Sequence, residues 1–85
     1  MISVKSAECI MTILRSGNFT NAAKNMYISQ PALSQAVRKI EEKLGAPIFD
    51  RSTDPITLTE AGQIYMDAAR QVMAINARLS NSINE

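Results

Sequence analysis

The sequence predicts a mainly α fold in which three helices and a two-stranded β-hairpin are followed by one long C-terminal helix. Residues 19–45 contain a short helical segment, a tight break and a second, amphipathic helix. The period then changes to short strand-like runs between residues 46 and 58. Helical periodicity returns at residue 59 and continues to the end of the chain. This order of parts is that of a winged helix-turn-helix with a C-terminal helical extension.

The first helix is predicted over residues 2–16. Val4, Ala7, Met11 and Leu14 recur there at spacings of 3, 4 and 3, which places them on one face, and Ile10 and Ile13 widen this stripe. Gly17 and the residue after it end the pattern. We expect this helix to cover the core behind the two helices that follow.

The second helix is expected to be short. Thr20 is the candidate N-cap, and Phe19 is the apolar residue that would pack against the first turn. The turn to the next helix is expected over residues 25–28, where Tyr27 and Ile28 would close it against the core.

The third helix has recognisable capping residues at both ends and two opposed faces. Ser29 is the candidate N-cap, proline follows in the first turn, and Gly45 suits the C-terminal cap. The apolar face comprises Leu33, Val37, Ile40 and Leu44, and the opposite face comprises Pro31, Ser34, Gln35, Arg38 and Glu42. Because Arg and Gln make bidentate contacts with base edges, this polar face is typical of a helix that enters the major groove of DNA.

The hairpin is predicted from two short runs, residues 48–51 and 56–58, separated by the polar residues 52–55. Phe49 is expected to fill the core.

Five separated blocks resemble the N-terminal DNA-binding domain of LysR-type transcriptional regulators. The blocks are Phe19-Thr20-x-Ala22-Ala23, Ser29-Gln30-Pro31-Ala32-Leu33-Ser34, Ile40-Glu41-x-x-Leu44-Gly45, Pro47-Ile48-Phe49-x-Arg51 and Leu58-Thr59-x-Ala61-Gly62. They occur in the family's order at compatible spacing and cover essentially the whole chain, whereas one block alone would be weak evidence. The resemblance implies sequence-specific binding of double-stranded DNA, as a dimer on a pseudo-palindromic operator.

The resemblance also divides the chain. Residues 1–58 would form the winged helix-turn-helix domain and residues 59–85 the linker or dimerisation helix. Helix 30–44 would enter the major groove, and the wing, residues 48–58, would lie at the minor groove or the flanking backbone.

The family's contact positions map onto two sets of residues. The expected base-reading residues are Gln30, Pro31, Ser34, Gln35 and Arg38. The expected backbone and wing contacts are Thr20, Lys24, Arg51, Ser52 and Thr53. Three of these positions carry a further expectation. Gln35 would prefer the N6/N7 edge of adenine, Arg38 has an ion pair with Glu42 as an alternative role, and Thr20 is more simply a helix cap.

The predicted wing departs from the family at its tip. Asp54 and Pro55 stand where basic residues and glycine are common, and an aspartate repels phosphate. We therefore expect a weak wing contact that is carried mainly by Arg51.

The C-terminal helix repeats apolar residues at spacings of 4, 3, 4, 3 and 4, and Thr59 is its candidate N-cap. The repeating residues are Ala61, Tyr65, Ala68, Val72, Ile75 and Leu79. An ordinary core helix would explain Leu58, Ala61 and Tyr65 but not Val72, Ile75 and Leu79. As in the family, we expect an antiparallel helix from a second copy to cover this stripe. The expected dimer contact comprises Tyr65, Ala68, Val72, Ile75 and Leu79.

Composition excludes several classes of protein. The 85 residues include no histidine and one cysteine, Cys9, and no glycine-rich phosphate loop or metal-ligand cluster occurs. We therefore expect no enzyme activity, no cofactor and no metal. Because neither a membrane span nor a signal peptide is visible, a cytoplasmic location is expected.

Charge leaves one alternative open. The net charge is only +1, which is low for a nucleic-acid binder. This value and Asp54 favour a winged-helix module that binds protein, or an antirepressor that pairs with a related regulator, whereas the intact Ser29–Ser34 block argues against it. Family members usually continue into an effector-binding domain. We therefore expect this chain to be a fragment, with a small-molecule effector and any higher oligomer belonging to a longer protein.

Overall fold

In a computed structural model of the chain, residues 2–84 are described. The helices are α1 (Val4–Ser16), α2 (Phe19–Asn25), α3 (Gln30–Leu44) and α4 (Glu60–Asn84), and the strands are β1 (Phe49–Asp50) and β2 (Thr57–Leu58). The expected mainly α fold and its order of parts are confirmed. Met1 and Glu85, the outer ends of the expected segments 1–58 and 59–85, lie outside the described residues.

The core forms where α1 packs against α2, α3 and α4. Its largest fully buried side chains are Ile10, Ile13, Leu33, Val37, Ile48 and Met66. On α1 the buried face is centred on Ile10 and Ile13, while Met11 and Leu14 are only partly buried. The most buried part of the predicted stripe is therefore the side that carries Ala7, Ile10 and Ile13, because α1 contacts α2, α3 and α4 there.

Three of the predicted helix caps are confirmed. The Ser29 hydroxyl accepts a hydrogen bond from the Ala32 amide, and Gly45 ends α3 in the left-handed conformation. At α4 the Thr59 hydroxyl accepts from the Gly62 amide at 2.9 Å. Such caps satisfy amides and carbonyls that the helix itself leaves unpaired.

The cap predicted for α2 was wrong. Asn18, not Thr20, is the N-cap, and its side-chain oxygen accepts from the Asn21 amide at 2.7 Å. Phe19 is consequently the first helical residue rather than the residue before the cap. Asparagine caps as well as threonine, and here it lies in extended backbone two positions earlier, which leaves the Thr20 hydroxyl free for another partner.

The turn between α2 and α3 also differs from the expectation. Tyr27 adopts a left-handed conformation with φ 58°, and its side chain is 95% exposed, so it does not close the turn. Ile28 is 40% exposed, and the partly buried Met26 packs on the core instead.

The hairpin is shorter than predicted, with Phe49 opposite Leu58 and Asp50 opposite Thr57. Phe49 is buried, as expected. The strands are antiparallel. At one end of the hairpin Ile48 and Thr59 are still joined by a backbone hydrogen bond, whereas at the other end the Ile56 amide donates to the Gly17 carbonyl instead of across the hairpin.

The base of the wing is tied to three helices. The Ile48 amide donates to the Glu41 carboxylate at 2.7 Å, and the Ile48 carbonyl accepts from the Thr59 amide at 2.9 Å. A Cβ at Gly62 would collide with that same carbonyl oxygen, so glycine is required for this close approach of α4. On the other strand the Ile56 amide donates to Gly17 at 2.9 Å. The wing is therefore held in a fixed position relative to α3.

Only the first half of α4 belongs to the core. Tyr65, Met66 and Ala69 are buried, whereas every residue from 74 to 83 is exposed. In residues 2–84 no helix combines the length and the apolar character needed to cross a membrane.

Candidate nucleic-acid interface

The polar face of α3 is open to solvent. Gln30, Pro31, Gln35 and Arg38 are exposed and Ser34 is half-buried, so the five expected base-reading residues are all accessible. Leu33 and Val37 hold the opposite face of the helix in the core. Among the described residues no ion pair joins Arg38 to Glu42. The salt bridge in this part of the chain is on α4, between Arg70 and Asp67. The guanidinium of Arg38 is therefore available for DNA.

A hollow of about 410 Å³ lies between α2, α3 and the wing. Five of the ten predicted DNA-contact residues line it, namely Thr20, Gln30, Ser34, Arg51 and Thr53. The other five, Lys24, Pro31, Gln35, Arg38 and Ser52, are exposed outside its walls. The fold thus brings together residues that are up to 33 positions apart in the sequence, from Thr20 to Thr53.

One hydrogen bond crosses this hollow between the two helices. The Thr20 hydroxyl donates to the side-chain oxygen of Gln30 at 3.1 Å. The two residues occupy the second position of α2 and the first position of α3. The bond therefore fixes the side-chain amide of Gln30 at the start of α3.

Arg51 is positioned by aromatic rings. Its guanidinium carbon lies 4.3 Å from the centroid of the Phe19 ring, a cation–π contact. Phe19 in turn meets Phe49 edge to face, with centroids 5.8 Å apart and planes at 81°. Among the described residues Arg51 has no carboxylate partner within ion-pair distance, so its charge remains available to an external anion.

The two hydroxyls next to Arg51 mainly stabilise the wing turn. The Ser52 hydroxyl and amide both donate to the Asp50 carboxylate, at 2.5 and 3.0 Å, and these bonds lower the pKa of Asp50. The Thr53 hydroxyl lies 2.9 Å from that of Thr57. The Thr53 hydroxyl also donates to the Asp50 carbonyl at 3.3 Å, so both hydroxyls are engaged within the turn.

Asp54 also lines the hollow, as its place at the predicted wing tip suggested. The peptide bond from Asp54 to Pro55 is cis, as is typical of a tight turn.

The profile of bacterial regulatory helix-turn-helix proteins of the lysR family matches residues 4–63, which contain the helix-turn-helix, the wing and the start of α4. The chain belongs to the LysR family.

Curated relatives in this family are longer than the chain. The probable RuBisCO transcriptional regulator of Cyanidioschyzon merolae is 44% identical over 63 residues, which are 74% of this chain and 21% of that protein. The HTH-type transcriptional regulator BudR of Klebsiella aerogenes is 41% identical over 66 residues, 78% of this chain and 46% of BudR. The chain thus spans less than half the length of either. Both relatives are named as transcriptional regulators rather than enzymes.

Solved LysR-family structures share the fold. DarR of Vibrio fischeri, determined in complex with DNA, is 32% identical and aligns with a TM-score of 0.82, covering 99% of this chain and 29% of DarR. The CbnR DNA-binding domain in its DNA complex is 25% identical, with a TM-score of 0.83 and coverage of 98% of this chain and 95% of that one.

The LysR-family helix α4 leaves an apolar face uncovered. Ile64, Ile75, Leu79 and Ile83 are 65, 55, 59 and 74% exposed, and Ala68 and Val72 between them are half-buried. These six residues lie within an arc of about 100° on a helical wheel. Ile64 and Ile83 were missed by the sequence argument, although their helical spacing from Ala68 and Leu79 places them on the same face.

Tyr65 was wrongly assigned to this face. It is 3% exposed and belongs to the core of its own chain, because α4 turns that side toward α1. The heptad pattern merged two adjoining faces, one covered within the chain and one open, and spacing alone could not divide them.

A second cleft, of about 720 Å³, lies between α1 and α3, with Cys9 and Tyr65 among its mainly apolar lining. Burial raises the pKa of the Cys9 thiol, and burial followed by the nearby Cys9 raises the pKa of Tyr65. Both groups therefore stay neutral near pH 7, which fits packing rather than nucleophilic chemistry. Within residues 2–84 no group of three or more His, Cys, Asp or Glu side chains could hold a metal ion.

Proposed function

We propose that this chain is the DNA-binding part of a LysR-type transcriptional regulator and binds double-stranded DNA sequence-specifically as a homodimer. The observation that carries the proposal is the open polar face of α3, which continues into the hollow lined by Thr20, Gln30 and Arg51. Membership of the LysR family and the fold shared with DarR, whose structure contains DNA, support it.

Helix α3 enters the major groove and the wing contacts the adjoining backbone. Gln30, Ser34, Gln35 and Arg38 face the base edges or the nearest phosphates, since base contacts specify and phosphate contacts position. Arg51 neutralises a phosphate beside the wing, and Lys24 and Thr53 add weaker backbone contacts. Residues 1–58 act as the reading domain and residues 59–85 as the dimerising helix.

Because the DNA-binding region has a low net positive charge, tight binding to DNA requires two copies of the chain. Residues 19–51 contain five cations and three anions, so one copy has little electrostatic attraction for DNA. Two copies joined along the open face of α4, in antiparallel orientation, would double the contacts and add their binding free energies. They would bind half-sites about one helical turn, roughly 34–36 Å, apart or a multiple of it.

The remaining functions belong to a longer protein. Because the curated relatives extend well beyond the matched region, we propose that binding of a small-molecule effector and any higher oligomer depend on a further domain. A regulator of this kind acts on DNA in the cytoplasm.

The test is selection of DNA from a random pool, followed by affinity measurements at several salt concentrations. We expect a pseudo-palindromic consensus and an affinity that falls as salt rises, because each neutralised phosphate releases counterions. Selection without a consensus, or affinity that does not depend on salt, would contradict the proposal. It would instead favour a protein-binding module or an antirepressor that pairs with a relative.

A further inference from the structure

We propose that Thr20 determines the base preference of Gln30 by fixing which end of its side-chain amide is presented to DNA. The inference rests on the DNA-binding function proposed above and adds a specific base chemistry to one position of the site.

The first step is the hydrogen bond between the two helices. The Thr20 hydroxyl donates to Gln30 Oε1 at 3.1 Å, and both side chains are exposed. Thr20 is free to do this because Asn18 caps α2 and Ser29 caps α3. A hydroxyl has one hydrogen to donate, so this bond uses it and turns the amide oxygen of Gln30 toward α2.

The second step concerns what remains for the DNA. A side-chain amide has an oxygen that accepts and an NH₂ group that donates two hydrogens. With Oε1 turned toward Thr20, the NH₂ group is the end of Gln30 that is left to meet a base. The oxygen keeps a second lone pair, but because the oxygen is turned toward α2, Gln30 meets a base chiefly as a donor.

The third step follows from the pattern of base edges in the major groove. Glutamine reads adenine bidentately, by accepting from N6 and donating to N7, and this needs both ends of the amide. A donor alone suits guanine, where N7 and O6 both accept, or thymine, where O4 accepts. Adenine offers one acceptor, N7, but the amino group beside N7 repels the second hydrogen of the donor, and cytosine offers only an amino group. We therefore expect Gln30 to select guanine or thymine.

Gln35 provides an internal comparison on the same helix, on the flank that borders the cleft between α1 and α3. It is exposed, and within residues 2–84 its side chain makes no hydrogen bond that would fix the amide. It can turn either end toward the DNA and keeps the adenine preference expected of a free glutamine. Two glutamines on one helix are therefore expected to read different patterns, Gln30 acceptors and Gln35 an acceptor beside a donor.

The experiment compares Thr20→Val, which removes the donor at nearly constant volume, with Thr20→Ser, which keeps it. Sites are first selected from a random pool with the wild-type protein, and Gln30→Ala then identifies the base pair at which preference relaxes. At that pair we expect the wild type and Thr20→Ser to prefer guanine or thymine over adenine by about tenfold in affinity. Thr20→Val should lose most of this ratio by accepting adenine, while the preference at the Gln35 position stays unchanged.

Three results would overturn the inference while leaving the proposed function intact. They are a wild-type preference for adenine at the Gln30 position, an identical preference in Thr20→Val and wild type, and a Gln30→Ala variant that still selects the full consensus. A wild-type protein that selects no consensus at all would instead overturn the proposed function. Circular dichroism of each variant establishes that altered preference does not come from altered folding.

Discussion

At the scale of single residues, Arg51 has its position fixed by a ring and not by a carboxylate. Phe19 lies beneath the guanidinium at 4.3 Å, and Phe49 supports Phe19 from the core. An ion-paired arginine would have to give up its partner to bind a phosphate, whereas a stacked arginine keeps its full charge. A cation–π contact at a partly exposed site contributes about 0.5–1 kcal/mol.

Replacing Phe19 with Leu should therefore weaken DNA binding through Arg51. We expect a loss of about two- to fivefold on specific and scrambled DNA alike, because the contact is to the backbone. Affinity is measured for wild type, Phe19→Leu, Arg51→Ala and the double variant. In the Arg51→Ala background the effect of Phe19→Leu should vanish, while Phe19→Tyr, which keeps a ring, should bind nearly as wild type. An undiminished loss in that background would mean that Phe19 acts through the fold alone.

Gln35 is expected to contribute mainly to specificity. Replacing it with Ala should cost about 1–3 kcal/mol of binding free energy on the selected site and relax the preference at one base pair. Competition between selected and scrambled DNA measures this. Equal weakening on both DNAs would show that Gln35 does not read a base.

At the scale of elements, the ends of α3 could be predicted and the base of the wing could not. Ser29 and Gly45 act on their own helix, so their roles are visible in local sequence. The role of Glu41 is non-local, since its carboxylate accepts from the Ile48 amide across a chain reversal. The sequence analysis used Glu41 only as part of a family block, and nothing in its spacing indicated this bond. The same limit explains why Tyr65 was assigned to the wrong face of α4.

Removing the Glu41 carboxylate should destabilise the fold. In Glu41→Ala the partly buried Ile48 amide loses its partner, which costs about 1–3 kcal/mol in free energy of unfolding. Urea titration followed by circular dichroism measures the change. The neighbouring Glu42 is exposed, so Glu42→Ala serves as the control and should change stability by less than about 0.5 kcal/mol. Matching values for the two variants would contradict the role of the bond.

A charge on the open face of α4 should weaken the proposed dimer. Leu79 is 59% exposed in one copy, and Leu79→Asp would place a carboxylate in the proposed contact with the second copy. Sedimentation equilibrium should show a weaker dimer, and DNA affinity should fall with it. Ala77 is also exposed but lies on the opposite side of the helix, so Ala77→Asp should sediment as wild type. An unchanged Leu79→Asp dimer would exclude this face as the contact.

At the scale of the whole molecule, the core is small and the second half of α4 extends beyond it. The described chain measures 44 × 27 × 21 Å, and the exposed half of α4 is not covered by any other part of it. An 85-residue domain buries a modest share of its surface, so an association that covers more apolar area adds a substantial part of its stability. The fold class and the order of elements were readable from the sequence because they follow from periodicity and caps. The division of α4 into a covered and an open half depends on the length of the other helices.

Stability should therefore depend on protein concentration. Because a partner that binds only the folded chain stabilises it by mass action, the thermal midpoint should rise as concentration increases. Thermal unfolding followed by circular dichroism over a hundredfold concentration range measures this. Leu79→Asp should show a lower midpoint that hardly changes with concentration. A wild-type midpoint that is equally constant would mean that the domain is stable as a single copy.

The attachment of Ile48 has a mechanical consequence. Its amide is bound to α3, its carbonyl is bound to the start of α4, and Gly62 brings α4 into direct contact with it. Within residues 2–84 these contacts join the start of α4 directly to the wing and to α3. A rotation of the C-terminal end of α4 would therefore turn the wing and α3 together with it. In the proposed dimer, a conformational change in a further domain would then alter the angle and the distance between the two winged helix-turn-helix domains. The bases that each α3 contacts would stay the same.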